Sequence, residues 1–94
     1  MIKEGKQIKT ADIMFIPEWL ARQSFIALID IGDWEAIRAE LKELMDSMKS
    51  VGLVQPIGVC EAGSKYLLLF GLRRFIAAKL LGWKNIKCVV HDQP

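Results

Sequence analysis

The segment from Tyr66 to Trp83, YLLLFGLRRFIAAKLLGW, constrains the fold more than any other part of the chain. An apolar run of strand length ends at Gly71, and a second glycine, Gly82, closes the apolar stretch that follows. Glycine interrupts regular structure, so each glycine marks the end of an element. The pattern predicts a strand over 65–70 and a helix over about 73–81, with two adjacent arginines at the bend between them.

The segment 33–51, DWEAIRAELKELMDSMKSV, carries the clearest helical pattern in the chain. Asp33 is a good N-cap residue, and Glu35 complements the positive end of the helix dipole. Gly52 follows the last periodic residue, where a glycine commonly ends a helix. Large apolar residues recur at helical spacing and predict one buried stripe, formed by Trp34, Ile37, Leu41, Leu44, Met45, Met48 and Val51.

The remainder of the C-terminal half has the composition of strands and their connections. A Gln-Pro pair favours extended geometry, so a strand is predicted over 57–60. Residues 61–64, EAGS, are typical of a β-hairpin loop. The run 65–70 shows no alternation of polar and apolar residues, which predicts a central strand covered on both faces. A last strand is predicted over 85–90.

The N-terminal third is less decisive. Residues 1–11 are polar and are compatible with a frayed end or a short edge element. A first strand is predicted over 12–17, where a proline stops it. The stretch 17–30 favours a helix, because proline suits the first helical position and a glutamate follows it. The apolar run 25–29 within it is equally compatible with a strand, since a short run does not settle the period.

These elements predict one small domain. Two consecutive strands joined through a short helix indicate a βαβ-like crossover, and the fold class is α+β (α/β-like), a small mixed sheet flanked by helices. The chain has 94 residues, of which 52% are hydrophobic, and this size and composition predict a single packed domain over 1–94.

Composition also excludes several functions. The net charge of +2 is too small for a chain that coats nucleic acid. No apolar run approaches the ~20 residues that span a bilayer, and no secretory signal is present, so we expect a cytoplasmic protein without membrane contact. The cysteines, Cys60 and Cys88, lie in apolar stretches without ligand spacing, which predicts buried free thiols and no metal site.

The bend at Gly71 suggests anion binding. The first amides of a helix have no acceptor within the helix, and the dipole adds positive character there. Arg73 and Arg74 then supply forked donors that match phosphate oxygens. A structural alternative stays open, in which an arginine simply pairs with a carboxylate such as Glu61 or Asp92. Neither GxxxxGK[ST] nor GxGxxG is present, so the bend is not a standard nucleotide loop.

Two ordered boxes carry a family resemblance. Both lie within the second half of the chain, as MDSMKSVGLVQPIGV and YLLLFGLRRFIAAKLLGWKNIKCVV. The matching residues are Gly52, Gln55, Pro56, Ile57 and Val59 in the first box, and Gly71, Arg73, Arg74, Ala77, Ala78, Lys79, Gly82, Ile86 and Val90 in the second. On these residues the chain resembles the ParB/sulfiredoxin superfamily, and within it the ParB-like N-terminal, nucleotide-binding domain.

The resemblance implies a nucleotide- or phosphate-binding module of a prokaryotic DNA partition, plasmid or phage regulatory system. The implied ligand is CTP or another nucleotide, with Mg²⁺. Gly71, Arg73 and Arg74 would contact its phosphates. The pocket wall would be formed by Gly52, Gln55, Pro56 and Ile57. The implied partners are DNA, reached through a separate domain or another protein, and a second copy in a homodimer.

Departures from the family pattern argue against catalysis, and we expect no catalytic residue. Leu72 stands where the family has a glutamate linked to nucleotide hydrolysis, and leucine cannot orient a water molecule. The third ParB box and the DNA-reading helix-turn-helix have no counterpart before Pro94. Sulfiredoxin's nucleophilic cysteine is also missing at the bend. A phosphotransfer enzyme like the free-serine kinases of this fold, and a protein-interaction scaffold that has lost its ligand, remain the alternatives.

Overall fold

The computed structural model describes residues 3–16, 25–53 and 55–92. The strands are β1 (Lys3–Lys9), β2 (Ile13–Met14), β3 (Ile57–Ala62), β4 (Lys65–Phe70) and β5 (Asn85–His91), and the helices are α1 (Phe25–Ile31), α2 (Trp34–Val51) and α3 (Leu72–Leu80). A short 3₁₀ turn, Thr10–Asp12, joins β1 to β2.

The strands form one five-stranded mixed sheet in the order β1-β5-β3-β4-β2. β3 runs parallel to β5 and antiparallel to β4, so β4 and β5 are not neighbours. The βαβ-like crossover predicted between β4 and β5 is therefore wrong in detail. The parallel pair is β3 and β5, and both β4 and α3 lie between them in the chain. The predicted fold class, an α+β domain with a small mixed sheet, is confirmed.

The predicted burial of β4 on both faces is wrong. Leu68 alone in this strand is fully buried, and Phe70 is 45% exposed. On the side away from β3, β4 is paired, among the described residues, only with the two-residue strand β2. Most of that edge of β4 therefore has no neighbouring strand within the described part of the chain. The buried strand is β3, in which residues 57–60 are all inaccessible. The apolar run of β4 predicted the central strand, but the central strand is β3. The apolar pattern of β3 is harder to see in the sequence because Gly58 interrupts it.

The N-terminal region is more ordered than its polar composition suggests. β1 is a seven-residue edge strand that pairs antiparallel with β5, so the edge-element alternative is confirmed. In the described part of the strand predicted over 12–17, residues 12–16, only Ile13 and Met14 are paired as a strand, and they lie parallel to β4. α1 occupies the C-terminal part of the predicted helix, which settles the open choice over 25–29. Residues 17–24 of that prediction lie outside the described residues.

The core lies between the sheet and the helices α2 and α3. Asp33 caps α2 as predicted, accepting a hydrogen bond from the amide of Ala36 at 3.1 Å. The middle of the predicted stripe is buried, but its two ends are not: Trp34 is 46% exposed and Val51 68% exposed. From α3 the core receives Leu72, Phe75, Ile76, Ala77 and Ala78. Five of the nine residues of this short helix are therefore buried.

Two further observations concern composition. Cys60 and Cys88 are buried free thiols, as predicted. No helix among the described residues is long and apolar enough to cross a bilayer.

Candidate functional site

The junction between β4 and α3 is built around Gly71. This residue adopts a left-handed conformation, with φ 90° and ψ 30°, and it forms the N-cap of α3 without a capping side chain. A Cβ atom added there would lie 2.7 Å from Cγ2 of Ile57, which leaves no room for a side chain. Both constraints demand glycine. The chain therefore turns from strand to helix within one residue and leaves the helix N-terminus open.

A cavity of about 370 Å³ lies at this N-terminus. The described residues that line it are Leu44, Gly71, Leu72, Arg73 and Arg74. The first backbone bond of the helix runs from the amide of Phe75 to the carbonyl of Gly71, so the preceding amides belong to the open end. The cavity therefore has the positive end of the helix dipole, amide groups and two guanidinium groups beside it. This arrangement is suited to an anion.

Arg74 connects the two sequence boxes. Its Nη2 donates to Oε1 of Gln55 at 2.9 Å, across a sequence separation of 19 residues. The acceptor is a neutral amide, so the contact orients the guanidinium without neutralising its charge. Within the described residues, no carboxylate forms an ion pair with Arg74. Its positive charge therefore remains available to a ligand in the cavity.

Arg73 has a different environment. Its Nη1 donates to Oε2 of Glu40 at 2.7 Å, and its Nη2 donates to the backbone carbonyl of the same residue at 3.2 Å. Both side chains of this ion pair are about half exposed. A pair in such a wet environment contributes little, about 0–1 kcal/mol, and can be exchanged for another anion. Arg73 is thus held near the cavity by a contact that a ligand could replace.

Comparison with known proteins agrees with this geometry. A model of the ParB N-terminal domain matches residues 34–94. The chain belongs to this family. The match begins at α2, so β1, β2 and α1 lie before the part that the ParB model describes.

ParB proteins are also found among the most similar relatives. A probable chromosome-partitioning protein ParB of Borreliella burgdorferi is 45% identical over 53 residues, which are 56% of this chain and 20% of that protein. A nucleoid occlusion protein of Halalkalibacterium halodurans is 36% identical over 52 residues, 55% of this chain and 18% of that protein. The matched stretch thus amounts to about a fifth of each of these relatives.

Two solved structures share the whole fold. Sulfiredoxin from Arabidopsis thaliana superposes with a TM-score of 0.66 at 26% identity, covering 98% of this chain and 85% of that chain. A truncated chromosome-partitioning protein ParB from Caulobacter crescentus, in complex with CTP-gamma-S, gives a TM-score of 0.71 at 20% identity, covering 98% of this chain and 46% of that one. The ParB and sulfiredoxin resemblance seen in the second half of the sequence is therefore confirmed.

The residues predicted from the ParB pattern lie at different distances from the cavity. Gly71, Arg73 and Arg74 line it. Gln55 reaches it through Arg74, and Ile57 packs beneath Gly71 but is itself fully buried. Gly52 and Pro56, predicted as pocket wall, are not among the described residues that line this cavity.

Sequence reasoning missed Glu40 and Leu44. Leu44 was assigned entirely to the core, although its edge also borders the cavity. Glu40 precedes it by four residues on α2, so the two lie on adjacent turns of the same helical face. The structure places the carboxylate of Glu40, 33 positions earlier in the chain, on Arg73. Only the packing of α2 against α3 brings it there.

The titratable groups with clearly shifted pKa values lie outside the cavity. Burial raises the pKa of the Cys88 thiol to about 11, so this cysteine stays protonated and unreactive at neutral pH. The hydroxyl of Tyr66 accepts a hydrogen bond from Lys6 and raises the pKa of that ammonium. Among the described residues, no cluster of three or more His, Cys, Asp or Glu could hold a metal ion. The described residues that line the cavity thus offer cationic and amide donors.

Proposed function

We propose that this chain is a nucleotide-binding module of a ParB-like DNA partition or regulatory protein, and that residues 1–94 act as one unit. The nucleotide phosphates occupy the cavity at the N-terminus of α3. The observation that carries the proposal is the convergence of a side-chain-free turn at Gly71, an open helix N-terminus and two arginines on one hollow of about 370 Å³. This volume falls within the ~300–1,000 Å³ typical of small-molecule sites.

Arg74 is the principal phosphate ligand in this proposal. Its guanidinium keeps its full charge and is already oriented by Gln55, so little conformational entropy is lost when an anion arrives. A fork of parallel N–H donors matches two phosphate oxygens at once. Replacing the amide of Gln55 by phosphate exchanges a neutral acceptor for a charged one, which strengthens the hydrogen bond.

Arg73 is the second ligand, and Glu40 competes for it. Binding through Arg73 requires its ion pair with Glu40 to open, at a cost of about 0–1 kcal/mol because both side chains are half exposed. A triphosphate carries enough charge to displace a single carboxylate. The affinity of the site therefore depends on how strongly Glu40 retains Arg73.

The identity of the nucleotide is proposed from the relatives. The ParB of Caulobacter crescentus has the same fold and was solved with CTP-gamma-S, which supports CTP as the ligand here. Since no acidic cluster is available among the described residues, we propose that any Mg²⁺ arrives bound to the triphosphate. We propose that sequence-specific recognition of DNA comes from a separate domain or a partner protein, and a homodimer is the assembly that we expect.

We propose binding without hydrolysis. Leu72 is 1% exposed and belongs to the core even though it borders the cavity. It has no group that could activate or orient a water molecule. None of the described residues that line the cavity is acidic, which also disfavours a kinase-like phosphotransfer role. The module would therefore respond to the presence of nucleotide rather than consume it.

Titration calorimetry with CTP, ATP, GTP and UTP in the presence of Mg²⁺ tests the proposal. We expect micromolar to millimolar binding of CTP, and a loss of about tenfold or more on Arg74→Ala, since a charge-assisted bond contributes about 1.5–3 kcal/mol. Arg38→Ala is the matched control, because it removes an exposed arginine from α2 outside this cavity. No heat with any nucleotide at millimolar concentration would overturn the proposal.

A second candidate, a protein-interaction scaffold, is favoured by one observation. Both guanidinium groups already have protein acceptors, Gln55 for Arg74 and Glu40 for Arg73, which is what a site that has lost its ligand would show. The same calorimetry separates the two functions. A scaffold keeps its fold and shows no nucleotide heat in the wild type, whereas a nucleotide module loses its signal only when Arg74 is replaced.

A further inference from the structure

The C-terminal end of α3 borders a second, larger cavity of about 450 Å³. Its walls come from the turn between β1 and β2 and from the loop between α3 and β5. The described residues that line it are Lys9, Thr10, Ala11, Lys79, Gly82, Trp83, Lys84 and Asn85. Nothing in the nucleotide site uses these residues, so the lysine cavity, as we call this set, needs its own explanation.

The lysine cavity concentrates positive charge. Lys9, Lys79 and Lys84 are all exposed, and none of the described residues that line the cavity is acidic. The three ammonium groups exceed the net charge of +2 carried by the whole chain. No acidic side chain within the described part of the chain forms an ion pair with them. Positive side chains thus cluster at this cavity without acidic residues among the described residues that line it.

A helix C-terminus normally repels anions, because its last carbonyl groups carry partial negative charge. Here those carbonyls are already occupied. The carbonyls of Ala77, Ala78 and Lys79 accept from the amides of Leu81, Trp83 and Gly82, at 2.9–3.0 Å. Hydrogen bonds to the chain's own amides reduce the negative field at the helix end. The lysines then dominate the electrostatics of the cavity.

Thr10 holds the two walls together. It is 7% exposed, and its hydroxyl donates to the carbonyl of Trp83 at 2.9 Å, with the carbonyl of Lys84 as an alternative acceptor at 3.3 Å. Its amide donates to the carbonyl of Lys84 at 2.9 Å. The turn after β1 is thereby fixed to the loop before β5 by hydrogen bonds that involve no lysine side chain.

We infer that the lysine cavity is a second anion site, which binds the phosphate backbone of nucleic acid without reading its sequence. Lysine is a compact charge on a flexible stem, suited to neutralising phosphates rather than to fixing one geometry. Base readout would need forked or amide donors held in place. An open cavity lined by lysines from β1, from α3 and from the loop before β5 fits an extended polyanion better than one compact phosphate group. The inference does not rest on nucleotide binding at Arg74.

The measurement is fluorescence anisotropy of the full chain with a labelled duplex of arbitrary sequence, over about 25–200 mM KCl. Each phosphate neutralised contributes about 0.9 to the slope of log affinity against log salt, so three lysines predict a slope of about 2 to 3 in magnitude. Lys9→Gln and Lys84→Gln should each lower that slope by about 1, and the double variant by about 2. Glutamine keeps most of the side-chain stem, and circular dichroism confirms that each variant is folded.

Two control variants make the assignment specific. Lys49→Gln removes an exposed lysine from α2 outside the cavity and should leave the slope unchanged. Arg74→Gln, measured without nucleotide, shows whether the duplex occupies the nucleotide site instead. The inference is overturned if the duplex does not bind at 25 mM KCl, or if Lys49→Gln lowers the slope as much as Lys84→Gln. It is overturned equally if Arg74→Gln abolishes binding, because the backbone would then occupy the nucleotide site.

Discussion

The two ends of α3 border cavities that are both lined by cationic side chains, arginines at one end and lysines at the other. At the N-terminal end, two arginines sit beside an open helix terminus, and each guanidinium already has an acceptor on the protein. At the C-terminal end, lysines surround a terminus whose carbonyls are satisfied by the chain itself. The nine-residue helix α3 thus has arginine forks at its N-terminal end, and lysines from the helix and its neighbours at its C-terminal end.

The difference between the two cavities shows how the kind of cationic side chain relates to the kind of anion that it can bind. The N-terminal cavity combines the helix dipole with planar donors, which favours a ligand of fixed geometry such as a triphosphate. The C-terminal cavity has no help from the dipole and relies on net charge, which favours a ligand with many equivalent phosphates. The following substitutions are chosen to separate these two modes.

The largest expected effect on unfolding free energy comes from replacing a glycine by alanine at one end of α3, with the same change at the other end for comparison. Gly71→Ala forces a left-handed backbone on alanine and places Cβ 2.7 Å from Ile57, so we expect a loss of about 2–5 kcal/mol in unfolding free energy. Gly82→Ala shares the positive φ of 78° but meets open space, and should lose only about 1–2 kcal/mol. Urea denaturation measures both. Equal losses would mean that the close approach of Gly71 to Ile57 does not matter.

Thr10→Val tests the C-terminal end alone. Valine keeps the shape of threonine but removes the hydroxyl that bonds Trp83, leaving a carbonyl without its donor in a buried position. We expect a loss of about 1–3 kcal/mol in unfolding free energy, together with weaker duplex binding. Nucleotide affinity, measured by calorimetry, should stay the same. A parallel fall in both affinities would show that the two ends are not independent.

Replacing arginine by lysine in one cavity, and lysine by arginine in the other, keeps the charge but changes the hydrogen-bonding geometry. The two substitutions therefore test whether each cavity needs the planar guanidinium or only a positive charge. Arg74→Lys removes the planar fork, so nucleotide affinity should fall by about tenfold, or ~1.4 kcal/mol. Lys84→Arg keeps the charge, so the salt slope of duplex binding should not change. Calorimetry and anisotropy measure the respective effects. If Arg74→Lys binds nucleotide as well as the wild type, charge alone governs the N-terminal cavity too.

Local signals predicted much of the fold. The capping residues and the helical spacing of the apolar residues predicted the bounds of α2. The glycine at each end of α3 predicted its bounds to within one residue. Sheet order was beyond reach, because it depends on pairings between segments distant in the chain. β1 demonstrates this: its sequence is polar, and it becomes a strand only because β5 offers it a partner. The exposure of Phe70 likewise follows from the short β2 beside it rather than from its own sequence.

The candidate site shows the same division. Gly71 and the two arginines were visible as a pattern, and Gln55 entered through the family box. The partner of Arg73 was not visible, because no local rule links Glu40 to a residue 33 positions away. The lysine cavity was missed for a similar reason: Lys9 and Lys84 belong to opposite ends of the chain, and only the pairing of β1 with β5 brings their strands together.

The smallest expected effect concerns the contact between Glu40 and Arg73. Glu40→Gln removes the ion pair but keeps the backbone carbonyl that Arg73 also contacts at 3.2 Å. Arg73 then moves to the nucleotide phosphates at lower cost, so affinity should rise by up to about fivefold, the equivalent of ~1 kcal/mol for a half-exposed pair. Calorimetry with CTP and Mg²⁺ measures the change.

Glu43→Gln is the matched control, since it removes an exposed carboxylate three residues further along the same helix. A general gain from lowered negative charge would raise affinity equally in both variants, whereas competition for Arg73 raises it only in Glu40→Gln. A fall in affinity on Glu40→Gln would mean that the carboxylate positions Arg73 for the ligand instead of withholding it. The N-terminal cavity would then be preorganised through both of its arginines, which would widen its difference from the lysine cavity.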